Sequence, residues 1–81
     1  MSDTEIPADL IALKLDFYTA ERDLPTLAGD AWNAMHRRMS ELAVAINRHP
    51  ALRPGPNRLK LDAAASKEAR EQLAAQDSAG G

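Results

Sequence analysis

Residues 28–49, AGDAWNAMHRRMSELAVAINRH, decide the architecture. Ala28, Trp32, Met35, Met39, Leu42, Ile46 and His49 recur in unbroken four-three alternation, which wraps one apolar stripe along an α-helix. The spacing predicts a helix from about residue 25 to 48. Pro25 suits its first turn, where a missing N–H costs nothing, and Pro50 ends it. Asp30 near the start and Arg48 and His49 near the end complement the helix dipole. Gly29 is its weak spot, at about 1 kcal/mol relative to Ala.

Upstream, Ile6, Leu10, Leu13, Phe17, Ala20 and Leu24 carry the same alternation and predict a preceding helix, with Pro7 in its first turn. Asp23-Leu24-Pro25-Thr26 predicts a tight turn between the two. Folding the first helix back about that turn pairs Phe17 with Trp32, Leu13 with Met35, Leu10 with Met39 and Ile6 with Leu42. All four pairs are apolar, so two independently read stripes agree on an antiparallel hairpin over residues 6–49, with Phe17 against Trp32 as its aromatic anchor. Ile11, Leu15 and Tyr18 form a second apolar stripe on the first helix, rotated off the seam.

Downstream, Pro50, Pro54, Gly55 and Pro56 exclude regular helix and predict a Pro-rich loop over 50–58. A shorter third helix is expected over 59–76. Asp62 is suited to cap its Ala-rich stretch, in which Leu73 is the one large apolar residue beside Ala65 and Ala69. Residues 1–5 are expected to be a flexible N-terminus and 77–81 a disordered tail. The fold class is all-α: an antiparallel two-helix hairpin, a Pro-rich loop and a third helix.

The chain has 81 residues, too few for a two-domain enzyme or a Rossmann, barrel or kinase fold. Sixteen of its apolar residues are Ala and only fifteen are Leu, Ile, Val or Phe, and there is no Cys to supply a disulfide or a thiolate metal site. A core this thin makes oligomerisation or a partner the natural complement. No apolar run exceeds five residues, which predicts neither a transmembrane span nor a signal-peptide core, and the expected location is cytoplasmic. The net charge of −2 conceals blocks of −5 over 1–30, +5 over 31–60 and −2 over 61–81. The antiparallel hairpin accounts for part of this, because it sets Asp3, Glu5 and Asp9 beside Arg48 and His49.

Chemistry-bearing patterns are sparse. No Ser/His/Asp set, glycine-rich phosphate loop or HExxH is present, and Asp16 and Glu21 belong to a solvated face, so the chain is expected not to be an enzyme. Met35, His36 and Met39 lie within about one turn, yet the two thioethers are seam residues and no Cys supports a soft-metal site; no metal or cofactor is expected. Arg37, Arg38, Arg53, Arg58 and Lys60 are candidate phosphate contacts. The same chain has an acidic net charge and no aromatic residue after 32 on which bases could stack.

Ile6-Pro7-Ala8-Asp9-Leu10 opening the first helix and Arg48-His49-Pro50 closing the second resemble, in arrangement, small helical-hairpin proteins of actinobacteria with no assigned function. The resemblance spans about residues 5–50 and implies the hairpin fold without a catalytic residue or ligand. The expected function is a non-enzymatic protein-protein interaction or regulatory module that associates with a second copy or another helical protein. Ile11, Leu15 and Tyr18 are its expected interface. The alternative is a small nucleic-acid-associated regulator using the Arg-rich segment 37–60.

Overall fold

Pro7 sets the start of the first helix. Its φ of −59° and ψ of 131° give an extended approach, and its carbonyl accepts the Ile11 N–H at 3.2 Å. Helix α1 then runs Ala8–Asp23. Pro25 has no N–H to extend it, and the chain tightens into a 3₁₀ turn, Leu24–Thr26. The Leu27 N–H closes that turn on Leu24 O at 3.1 Å, and the Thr26 hydroxyl donates to Asp23 O at 2.6 Å. Leu27 and Ala28 are extended, and Gly29 opens helix α2 (Gly29–Asn47) with φ of +62°. That left-handed backbone is what Gly29 is there to supply. The connection is longer than the expected tight turn, and α2 starts at 29 instead of 25. The computed structural model describes residues 6–52 and 54–80, the last two of these by backbone only. The expected flexible N-terminus 1–5, the end of the expected tail at Gly81, and Arg53 lie outside the described residues.

The longer connection slides α2 along α1. Asp16 lies opposite Arg38, at 3.9 Å, and Asp9 opposite His49, at 2.9 Å. Relative to the tight-turn register, α2 is displaced by more than one helical turn. The helices remain antiparallel, but the expected Phe17–Trp32 anchor does not form. Phe17 packs edge-on against Tyr18, with ring centroids 5.9 Å apart at 79°, and Trp32 stacks on His36 of its own helix at 5.0 Å and 14°.

Pro50 stops α2, and the following segment crosses the N-terminal end of α1. There Leu52 turns inward to pack with Leu10 and Ala65, flanked by Ile6, Ile46 and Leu61. Helix α3, Arg58–Gly80, has 23 residues against 16 in α1 and 19 in α2, so it is the longest helix and not a shorter one. It continues beyond residue 76, where Asp77 pairs with Arg22 of α1. Asp62 sits inside it instead of capping it.

Along α3, Asp62 meets Lys14, Arg70 meets Tyr18 and Asp77 meets Arg22, so the pairings ascend together and α3 runs parallel to α1. Ala65 and Ala69, fully buried, let the two backbones approach closely. Helices α2 and α3 each pack on α1 and make no close backbone approach to one another. The result is one layer of helices with α1 in the middle, 43 × 29 × 15 Å in its principal extents. All the described regular structure is helical. No described helix is long and apolar enough to cross a membrane.

Candidate interaction groove

A layer one helix thick leaves two broad faces of α1 between its neighbours, and the two differ in chemistry. On one face, Asp16, Thr19, Ala20 and Asp23 of α1 meet Met35 and Arg38 of α2 in a shallow polar depression. On the other, Phe17 and Tyr18 form the floor of a groove of about 210 Å³. Ala43, Ile46 and Asn47 of α2 make one wall, and Lys14 with Asp62 of α3 closes the other side. Trp32 and His36 lie eleven and seven residues before Ala43, which returns them to the same side of α2. Trp32 is 38% exposed, an unusual condition for the chain's single Trp.

Among the described residues, Lys14 is the buried charge. Its side chain is 7% exposed, and its ammonium donates to Asp62 Oδ1 at 2.5 Å and to Ser66 Oγ at 2.8 Å. A cation taken from water needs such partners. Asp62, at 44% side-chain exposure, keeps much of its hydration, so the pair is asymmetric. Beside it the Arg70 guanidinium lies 5.0 Å from the centre of the Tyr18 ring, a cation–π contact. Arg22 is held by Asp23 at 3.0 Å and by Asp77 across the helix gap. The hydrogen bond to Asp23, with that carboxylate's charge and Asp77 adding to it, raises Arg22 above its usual value.

At the other end of the layer, His49 joins α1 to the crossover. Its Nδ1 accepts the Ala51 N–H at 3.0 Å, which leaves Nε2 as the protonated nitrogen facing Asp9 Oδ2 at 2.9 Å. This hydrogen bond, with the Leu10 N–H also donating to the carboxylate, holds the exposed Asp9 carboxyl below its ordinary value.

The residues singled out from sequence are placed as follows. Ile11, Leu15 and Tyr18 are all half-buried, on the flank of α1 that α3 runs along; Tyr18 also opens into the groove. Arg37 and Arg38 are exposed midway along α2, with Arg38 turned to Asp16, whereas Arg58 and Lys60 begin α3 on the far side of α1. The described candidate phosphate contacts are therefore not brought into one patch. Met35 and Met39 are half-buried, and His36 is taken up by Trp32. Among the described residues no group of three or more His, Cys, Asp or Glu is placed to hold a metal.

Lys14 and Ser66 carry no motif in the sequence, and Asp62 stands out there only as a helix cap, not as the partner of Lys14. The available signal was a Lys four residues from both Leu10 and Tyr18, inside an apolar arc. The chain matches no family model, no curated protein and no solved structure.

Proposed function

We propose that this chain is a non-enzymatic helical interaction module that works by packing its grooved face against another helical surface, with self-association as its simplest form. One observation carries the reading: Phe17, Tyr18 and Ile46 line an open groove on the same side of the layer as exposed Trp32. Aromatic side chains of this kind supply the anchors of protein interfaces. Tyr18 remains the anchor within the stripe Ile11, Leu15 and Tyr18, and the first two support it from the α1–α3 flank. The thin core supports the same reading. Among the described residues, Leu10, Leu42 and Leu52 are the large buried apolar side chains, and the remainder of that core is Ala20, Ala65 and Ala69. A cytoplasmic, bacterial setting belongs to the proposal and rests on the lack of Cys and the resemblance of residues 6–10 and 48–50 to actinobacterial hairpin proteins.

Light scattering on a sizing column, over a concentration series at two salt levels, tests it against nucleic-acid binding through Arg37, Arg38, Arg53, Arg58 and Lys60. Apolar helix packing gives a mass that rises with concentration and is insensitive to salt. A strict monomer that retains duplex DNA or RNA, with affinity falling steeply as salt rises, overturns the proposal.

A further inference from the structure

We infer that His49 is a proton-operated latch on the crossover: a second proton on its ring, at Nδ1, breaks the hold on the Ala51 N–H and frees Leu52 from the core beside Leu10 and Ala65. The imidazole joins two segments through opposite polarities. Its Nε2–H donates to Asp9 Oδ2 of α1 at 2.9 Å and its Nδ1 accepts the Ala51 N–H at 3.0 Å, so the neutral ring has both nitrogens satisfied. The next residue is Leu52, 3% exposed, whose own N–H donates to His49 O at 2.9 Å. The short turn from His49 to Leu52 thus carries both the ring's acceptor bond and a core side chain.

Protonation acts on the two ends of the ring in opposite senses. Facing Asp9, it turns a hydrogen bond from a neutral ring into an ion pair. The Asp9 carboxyl, held below its ordinary value, stays ionised throughout the range of about pH 5–8 in which imidazoles commonly gain this proton. Facing Ala51, protonation sets N–H against N–H with no lone pair between them. The His49 side chain is 9% exposed, and a donor buried there without an acceptor is costly. Nothing charged nearby supplies a new acceptor: α1 presents Asp9, exposed Arg48 ends α2, and at the start of α3 Arg58 and Lys60 are cations while Asp62 is held by Lys14. Among the described residues no second carboxylate lies within 4 Å of the ring. The strengthened end keeps the imidazole on α1, so the turn at Ala51 is the part that yields. Leu52 leaves with it, and the cluster between α1 and α3 at this end keeps Leu10 and Ala65 without the side chain that covers them.

The test follows the full-length chain by NMR from about pH 8 to about pH 5. Ring protonation is read from the His49 nitrogen shifts, and the protection of the Ala51 and Leu52 amides against solvent exchange is read at each pH, relative to unfolded-chain rates. Both amides are expected to lose protection by about tenfold or more as His49 gains its proton, with the same midpoint, while amides in the middle of α1 and α3 keep theirs. His49→Asn supplies a side-chain carbonyl that can accept the Ala51 N–H and does not titrate, so protection in that variant should be flat with pH. Protection of Ala51 and Leu52 that is unchanged while His49 titrates overturns the inference, as does a ring that gains no proton over this range. A loss that persists in folded His49→Asn also overturns it, because another group then drives the opening. If His49→Asn does not fold, the match or mismatch of the wild-type midpoints decides the question alone.

Discussion

The asymmetry of the Lys14–Asp62 pair makes a sharp prediction. Deleting Asp62 as Asp62→Ala leaves an ammonium whose side chain is 7% exposed with Ser66 as its remaining acceptor. An uncompensated buried cation of this kind costs about 2–4 kcal/mol. Deleting the cation as Lys14→Met is different: the thioether chain keeps most of the apolar packing, and Asp62, 44% exposed, turns to water. Replacing the buried member by an apolar side chain of similar length should cost no more than about 1 kcal/mol. A chain of this length has about 4–12 kcal/mol of stability in all, so the first loss is a large share and the second a small one. Urea unfolding followed by circular dichroism separates them. With a slope of about 1 kcal/mol/M, the midpoint falls by about 2–4 M for Asp62→Ala and by about 1 M or less for Lys14→Met. Protein concentration is held fixed, so that the proposed self-association weighs equally on every variant. Equal losses, or a larger loss for Lys14→Met, would refute the asymmetric burial of the pair.

Two further perturbations probe the backbone and the acid limb. Gly29→Ala forces an L side chain into φ of +62°, and since a Cβ there meets nothing within 4 Å, the cost is that of the backbone alone, about 1–2 kcal/mol. Gly55→Ala, at a position of ordinary φ with equal space, should be neutral or stabilising by up to about 1 kcal/mol; a Gly29→Ala variant as stable as Gly55→Ala contradicts the left-handed assignment. Asp9 binds its proton less readily in the folded chain than its ordinary value of 3.8, so the Asp9–His49 contact stabilises the fold above about that pH and the contribution disappears as the pH falls through the lower folded value. Melting temperatures measured into strong acid should therefore decline less steeply in Asp9→Asn than in the wild type, and identical acid slopes would count against the contact.

The two four-three stripes were legible because helical periodicity is local: 3.6 residues per turn turns a pattern of Ile, Leu, Met and Trp directly into a face. Pro7, Pro25 and Pro50 were legible for the same reason, since a missing N–H acts where it stands. Opposite charge at the two ends of the hairpin was visible too, and Asp9 does meet His49. The register was not. It depends on how residues 24–28 leave the 3₁₀ turn, and the left-handed φ of Gly29 is a property of the connection rather than of either stripe. Slippage of more than one helical turn parts Phe17 from Trp32 and leaves the indole stacked on His36.

What the sequence determined by itself is the set of helices and the antiparallel sense of the first two, because both follow from near-neighbour spacing and from where Pro interrupts it. Only the tertiary structure decided what α3 does. An Ala-rich helix with Leu73 as its one large apolar residue past Leu61 looked poorly equipped to pack. Yet Ala65 and Ala69 are fully buried because small side chains allow close backbone approach, a virtue that appears only when a second helix is present to approach. The same docking draws Asp62 and Ser66 over Lys14 from about fifty residues away in sequence and bounds the groove above Phe17 and Tyr18. Long-range contacts of this kind leave no periodic mark in the chain, since what fixes them is the space remaining after the local elements have formed.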